Sequence, residues 1–270
     1  FVSSYANVRE TGATSFAASV YNKNDKLRPR LYMNQGNGKF KETARAMGFD
    51  ESALSMGSNF GDLDNDGYLD IYLATGEPNF NSIIPNKVYH NQQGRRVEDV
   101  TYACGFGHIQ KGHGVGFADF DRDGDQDIYA VMGGSFEGDV FRNILYHNPS
   151  ENGNNWITII LEGTSSNKSA IGAKVFLETT ENGKKRQIVR TVSSGSSFGG
   201  NSLQLEIGLG KAKVIDKLLV QWPNIKRNNS EFRNLSVNQI IKITEGESNP
   251  LAIEQNSISF NLKSNGHHQH

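Results

Sequence analysis

Asp62-Leu63-Asp64-Asn65-Asp66-Gly67-Tyr68-Leu69-Asp70 and Asp119-Phe120-Asp121-Arg122-Asp123-Gly124-Asp125-Gln126-Asp127 are two copies of one pattern, D-x-D-x-D-G-x-x-D, set 57 residues apart. Carboxylates at positions 1, 3 and 5 converge on one point only if the loop curls tightly. The glycine at position 6 supplies the backbone angles for that curl, and position 7 offers its carbonyl. The candidate metal ligands are therefore Asp62, Asp64, Asp66, Tyr68 and Asp70 in the first loop, and Asp119, Asp121, Asp123, Asp125 and Asp127 in the second. Such crowded acids repel one another unless a hard divalent cation compensates them, and an all-oxygen set favours Ca²⁺ over Zn²⁺ or Mg²⁺. These are not EF-hands. Position 12 is Leu73 or Ala130 instead of a bidentate glutamate, and a strand-like run follows each loop. With no neighbouring base, the expected role of calcium is to order a hairpin rather than to catalyse.

Outward from the loops, the same 57-residue step relates Tyr32-Met33-Asn34, Tyr89-His90-Asn91 and Tyr146-His147-Asn148, and it carries Gly48-Phe49 onto Gly105-Phe106. One whole unit runs from about Leu54 to Cys104 and reads as four short strands: Ser55–Phe60, Leu69–Ala74, Lys87–Asn91 and Arg96–Thr101. Four strands per repeat of this size predict a β-propeller blade. In this phase Phe1–Tyr5 corresponds to the second strand of a blade, and the last unit, about His113 to Asn148, lacks a fourth strand. About three blades do not close a ring of the usual 4 to 8. The expectation is an incomplete propeller completed by an upstream segment or a partner. His90 and His147 fall at equivalent blade positions, which predicts scaffold packing rather than a nucleophile–base pair.

The composition agrees with an all-β chain. There are 29 glycines and only 6 prolines in 270 residues, which predicts many tight turns. With 28 Lys+Arg against 29 Asp+Glu, nothing favours nucleic acid as a partner. Mean hydropathy is −0.54 and no apolar run is long enough for a transmembrane segment. The single cysteine, Cys104, excludes an internal disulfide and a multi-cysteine metal site, and it reads as a small buried apolar residue.

Beyond Asn148 the chain stays β-rich, with short runs at Trp156–Leu161, Lys174–Thr179, Gln187–Val192, Leu203–Ile207, Lys217–Trp222 and Gln239–Thr244. These predict a small β-sandwich or barrel-like domain. Ser193–Gly200 reads as a flexible loop, Trp222 as a core or turn-packing residue, and the segment after Gly246 as a frayed polar tail whose histidines, His267, His268 and His270, are weak metal candidates.

Phe60-Gly61-Asp62 and Phe117-Ala118-Asp119 resemble the FG-GAP/VCBS calcium-loop blade of integrin-type propellers, the second copy with alanine for glycine. Asn155-Trp156-Ile157-Thr158-Ile159, Ala170-Ile171-Gly172-Ala173-Lys174-Val175, Gly208-Leu209-Gly210 and Val220-Gln221-Trp222-Pro223-Asn224 resemble the ASPIC/UnbV module, with Ile225 in place of the glycine of a W-P-x-G turn. That order of modules resembles the cartilage acidic protein family and its bacterial relatives. The expected organisation is calcium-binding blades over 1–149, an ASPIC/UnbV β domain over 150–245 and a tail over 246–270.

The functional expectation is a calcium-stabilised extracellular or cell-surface module that binds a protein or glycan and is not an enzyme. Propeller geometry nominates the loops Ala6–Arg30, Gly76–Asn86 and Gly133–Arg142 for ligand contact, with Arg9, Arg28 and Arg30 suited to an acidic partner. Two alternatives stay open: a polysaccharide-acting hydrolase or lyase whose catalytic residues lie in missing blades, and a structural subunit of a surface assembly.

Overall fold

Short alternating runs cut by Gly, Asn and Asp turns give strands and no helix among the described residues, which are 28–76, 84–134, 137–138, 141–149, 152–195 and 198–260 of a computed structural model. The first half holds three small antiparallel sheets. Strands β1 (Tyr32–Gly36) and β2 (Lys39–Glu42) form a two-stranded sheet; β3 (Ser55–Gly61), β4 (Asp70–Thr75), β5 (Lys87–Asn91) and β6 (Val97–Asp99) form a four-stranded one; β7 (Gly112–Ala118), β8 (Asp127–Met132) and β9 (Ile144–Tyr146) form a three-stranded one. Each follows the up-and-down order of a blade, and β1–β2 stand one repeat before β5–β6. Phe1–Tyr5 and most of Ala6–Arg30 lie outside the described residues.

Blades stack through alternate side chains, as the period of a strand requires. From β4 and β5, Tyr72, Ala74 and Val88 pack against Val115, Phe117, Ile128, Ala130 and Met132 of the third blade. On the opposite face Ile71, Leu73 and Tyr89 pack with Phe49, Ala53 and Val97. The far face of β7–β9 has no such cover among the described residues: Tyr129 and Val131 are each 39% exposed and Leu145 is 40% exposed.

The second half is a sandwich of two four-stranded sheets. One has the order β13 (Leu205–Gly210), β10 (Asn155–Glu162), β16 (Gln239–Thr244), β17 (Leu251–Ile253); the other has β12 (Lys184–Thr191), β11 (Lys174–Glu181), β14 (Val214–Gln221), β15 (Asn229–Ser236). All pairs are antiparallel except β10 with β16. Their inward faces meet in a core that includes Ile157, Ile159, Val175, Leu177, Ile207 and Leu218. Trp222 is buried, and its Nε1 donates to Ser230 Oγ at 2.9 Å. Strands β15 and β17 are not expected from the sequence: Asn229–Ser236 is largely polar because it lies at a sheet edge, and Leu251–Ile253 extends the sheet into the segment read as a frayed tail.

Cys104 is a correction. It is exposed, because Thr101–Gly105 forms a surface turn in which the Cys104 N–H donates to the Val100 carbonyl at 3.0 Å. Partial burial still raises its thiol pKa, so it is not an activated nucleophile. Arg28 is another: it is 5% exposed, 3.7 Å from Glu42, with Arg30 at 3.9 Å from the same carboxylate. Arg28 thus serves the packing of the first blade, whereas the Arg30 side chain stays 32% exposed. Arg9 lies outside the described residues, as do parts of the Gly76–Asn86 and Gly133–Arg142 loops.

Candidate metal centres

The two Asp-rich loops fold alike and share most of their hydrogen bonds; they differ at the position-5 N–H, which donates to Asp64 in the first loop and to Asp119 in the second. At position 1, Asp62 Oδ2 accepts from Gly67 N–H at 2.9 Å and Asp119 Oδ2 from Gly124 N–H at 3.0 Å. At position 5, Asp66 accepts from Tyr68 N–H at 2.8 Å and Asp123 from Asp125 N–H at 2.9 Å. Position 9 binds both its oxygens to backbone: Asp70 accepts from Leu63 and Asn91, Asp127 from Phe120 and Asn148. Positions 4 and 6 have positive φ in both copies, 55° at Asn65 and 63° at Arg122, 88° at Gly67 and 100° at Gly124. Asparagine and glycine adopt that conformation readily; arginine does so at a cost.

The third strand of each blade adds a residue to its loop. His90 Nε2 lies 3.0 Å from Asp64 Oδ2, and His147 Nε2 lies 2.8 Å from Asp121 Oδ2. Asp64, Asp66 and His90, and again Asp121, Asp123 and His147, bring one ligand atom each to within 4.8 Å of one another, a grouping that could hold a metal ion. The Tyr-His-Asn triplet at the 57-residue step was the available signal for these histidines. It does not show which face of the strand they take.

Electrostatics sharpen the picture. Burial pushes the Asp62 carboxyl up to about 8 and Asp70, Asp119 and Asp125 to about 7, with neighbouring acids adding to the rise. Asp64 goes the other way: burial raises it, but the hydrogen bond from His90 and the Asp66 N–H outweigh that. The Asp64 hydrogen bond in turn lifts His90 to about 9, and Asp121 raises His147. The neighbouring carboxylate thus favours the protonated imidazole at His90. Asp62 Oδ1, Asp121 Oδ1 and Asp125 Oδ2 are buried with no hydrogen-bond partner. A buried carboxylate oxygen without a donor fits a cation ligand.

The loops also form the contact with the second half. Gly208 N–H donates to Asp62 Oδ2 at 3.1 Å, and Gly210 N–H to the Asn65 carbonyl at 2.9 Å. From β12, Arg190 donates to the Gly67 carbonyl at 3.1 Å and stands 3.8 Å from Asp62, while Arg186 bonds the Asp66 carbonyl and lies 4.1 Å over the Tyr68 ring. The two loops touch each other where Asn65 Nδ2 donates to the Gly124 carbonyl at 3.0 Å and to Asp125 Oδ1. The position-7 side chains thus point away from the loop centres, Tyr68 toward Arg186 and Asp125 toward Asn65.

Residues 163–250 match the ASPIC and UnbV family model, and residues 16–73 match that of the FG-GAP-like repeat. The chain carries FG-GAP and ASPIC/UnbV modules. No curated protein matches it. The FG-GAP match takes in the first Asp-rich loop, and the 57-residue repeat extends the same geometry to the second. The ASPIC/UnbV module reaches past the loops as well: Asn201 accepts from Asn59 Nδ2 at 2.6 Å and from Phe117 N–H at 2.9 Å, and donates to the Phe60 carbonyl at 2.7 Å. The glycine-serine segment read as a flexible loop therefore ends in a polar plug between the inner strands of two blades.

Proposed function

We propose that the chain is a calcium-stabilised binding module of the cell surface or extracellular space, recognising a protein or glycan. In this reading calcium in the two loops clamps the ASPIC/UnbV module onto the FG-GAP blades. The observation that carries it is the pair of buried carboxylate oxygens without a hydrogen-bond partner, Asp62 Oδ1 and Asp121 Oδ1, on acids whose other oxygen is already held, Asp62 Oδ2 by the Gly67 N–H and Asp121 Oδ2 by His147. The ligands are Asp62, Asp64, Asp66, Asp70 and the Tyr68 carbonyl in one loop, and their repeats Asp119, Asp121, Asp123, Asp127 and the Asp125 carbonyl in the other. Bound calcium supplies charge that lets these acids stay ionised side by side. Its high extracellular concentration suits sites of modest affinity.

We read the molecule as a binder and not an enzyme because the imidazoles at both loops are committed to loop carboxylates. Calorimetric titration with Ca²⁺ tests the metal. Two sites per chain are expected, one lost in Asp64→Asn, one in Asp121→Asn and both in the double variant. No binding heat at any concentration up to the millimolar range of extracellular modules would sink the calcium reading.

A further inference from the structure

Equivalent positions of the two loops are covered from outside the blades by different pieces of chain. The Asp64 carbonyl accepts from Asn154 Nδ2 at 2.7 Å, on the segment leading into β10. The Asp121 carbonyl accepts from the backbone N–H of Ile258 at 2.6 Å, on the segment that follows β17. Two residues on, the Phe260 ring meets the His147 ring edge-on, with 5.7 Å between centroids, and Phe260 is half-buried. Ser257–Phe260 belongs to no sheet, yet it is held at two points on the third blade. The face of β7–β9 that carries Tyr129, Val131 and Leu145 stays 39–40% exposed with this segment in place, whereas Tyr72, Ala74 and Val88, one repeat earlier, are 0% exposed under the neighbouring blade.

We propose that Ser257–Phe260 is a docking segment that binds in cis on the surface formed by the Asp121 carbonyl and the His147 ring, at the second Asp-rich loop. The occupant is this chain's own tail and not a second copy. Its Ile258 N–H takes the position-3 carbonyl that Asn154 takes in the first loop, and covalent connection through β17 spares the entropy cost of bringing in another molecule. The two loops are therefore not equivalent. The first opens on a polar cavity of about 660 Å³ lined by Asp64, Asp66, His90, Arg96 and Arg186, while at the second the tail meets the Asp121 carbonyl and the His147 ring.

The contact uses no metal, so it stands or falls separately from the calcium reading. Hydrogen exchange measured by mass spectrometry tests it, in chelator, on the full chain, on a chain ending at Gln255 and on Phe260→Asp, at concentrations where light scattering shows monomers. Amides in 119–127 and 144–148 are expected to exchange about tenfold faster or more in both variants, with 62–70 and 87–91 unchanged. Unchanged exchange in 119–127 and 144–148 overturns the proposal, and so does an equal rise in both loops, which would report general loosening. If the shortened chain fails to fold, Phe260→Asp decides alone.

Discussion

At position 4 of the second loop, Arg122 holds φ at 63° where the first loop has Asn65 at 55°. Arg122→Asn removes most of that conformational strain without touching a ligand, and it is expected to stabilise the fold by about 0.5–1 kcal/mol, read from the urea midpoint. Asp62 makes a different prediction. Its folded pKa of about 8 lies above the ordinary carboxylate value of 3.8, so without metal the native state binds more protons than the unfolded chain between those values. Metal-free stability is then fully present below about pH 4 as far as this group is concerned, and it is lost as pH rises toward 8. Asp70, Asp119 and Asp125 act in the same direction up to about 7. Saturating calcium should flatten the decline, because the cation replaces the proton. Thermal melts across pH 4.5–8 with chelator and with calcium check this, and an apo melting temperature that rises steadily over that range would contradict it.

Strand β12 and the turn after Gly124 set how the two halves meet. Arg190 is 14% exposed, stands 3.8 Å from Asp62 and donates to the Gly67 carbonyl, so Arg190→Ala removes a buried cation and the donor to that carbonyl. A loss of about 1–3 kcal/mol is expected, read from the urea midpoint. Gly124 is tighter still. A Cβ there would stand 2.0 Å from the Trp156 indole, at a φ of 100°, and the obstacle is a ring packed at the start of β10. Gly124→Ala should separate the loop from the ASPIC/UnbV sheet, seen as a red shift of Trp156 emission and a lower melting temperature. By contrast, Gly38→Ala meets nothing within 4 Å and costs only its backbone strain.

Across the molecule, the acidic loops lie in the contact between modules, so calcium should couple their stability. Both halves are expected to melt together at saturating calcium, which adds about 2.7 kcal/mol at a hundred times the dissociation constant. In chelator the blades should loosen first, because the sandwich has its own core from Ile157 to Ile243, while the blades share smaller clusters divided between sheets. Two separated calorimetric transitions without calcium and one with it would bear this out. A single unshifted transition in both conditions would remove calcium from the junction.

The sequence by itself determined the all-β class, the blade unit and the two Asp-rich loops, because strand alternation, turn glycines and ligand spacing are local patterns. Lys87–Asn91 and Gln239–Thr244 form strands over the residues their patterns mark. Edge strands were less legible: Asn229–Ser236 has too few buried positions to alternate clearly, and Leu251–Ile253 is only three residues long. Only the tertiary structure decided that His90 and His147 reach the loop carboxylates, that Arg186 and Arg190 close over the first loop, that Asn201 plugs two blades, and that Ile258 reaches Asp121. Each joins residues far apart in the chain. Such contacts depend on how completed sheets pack, and no local period records that.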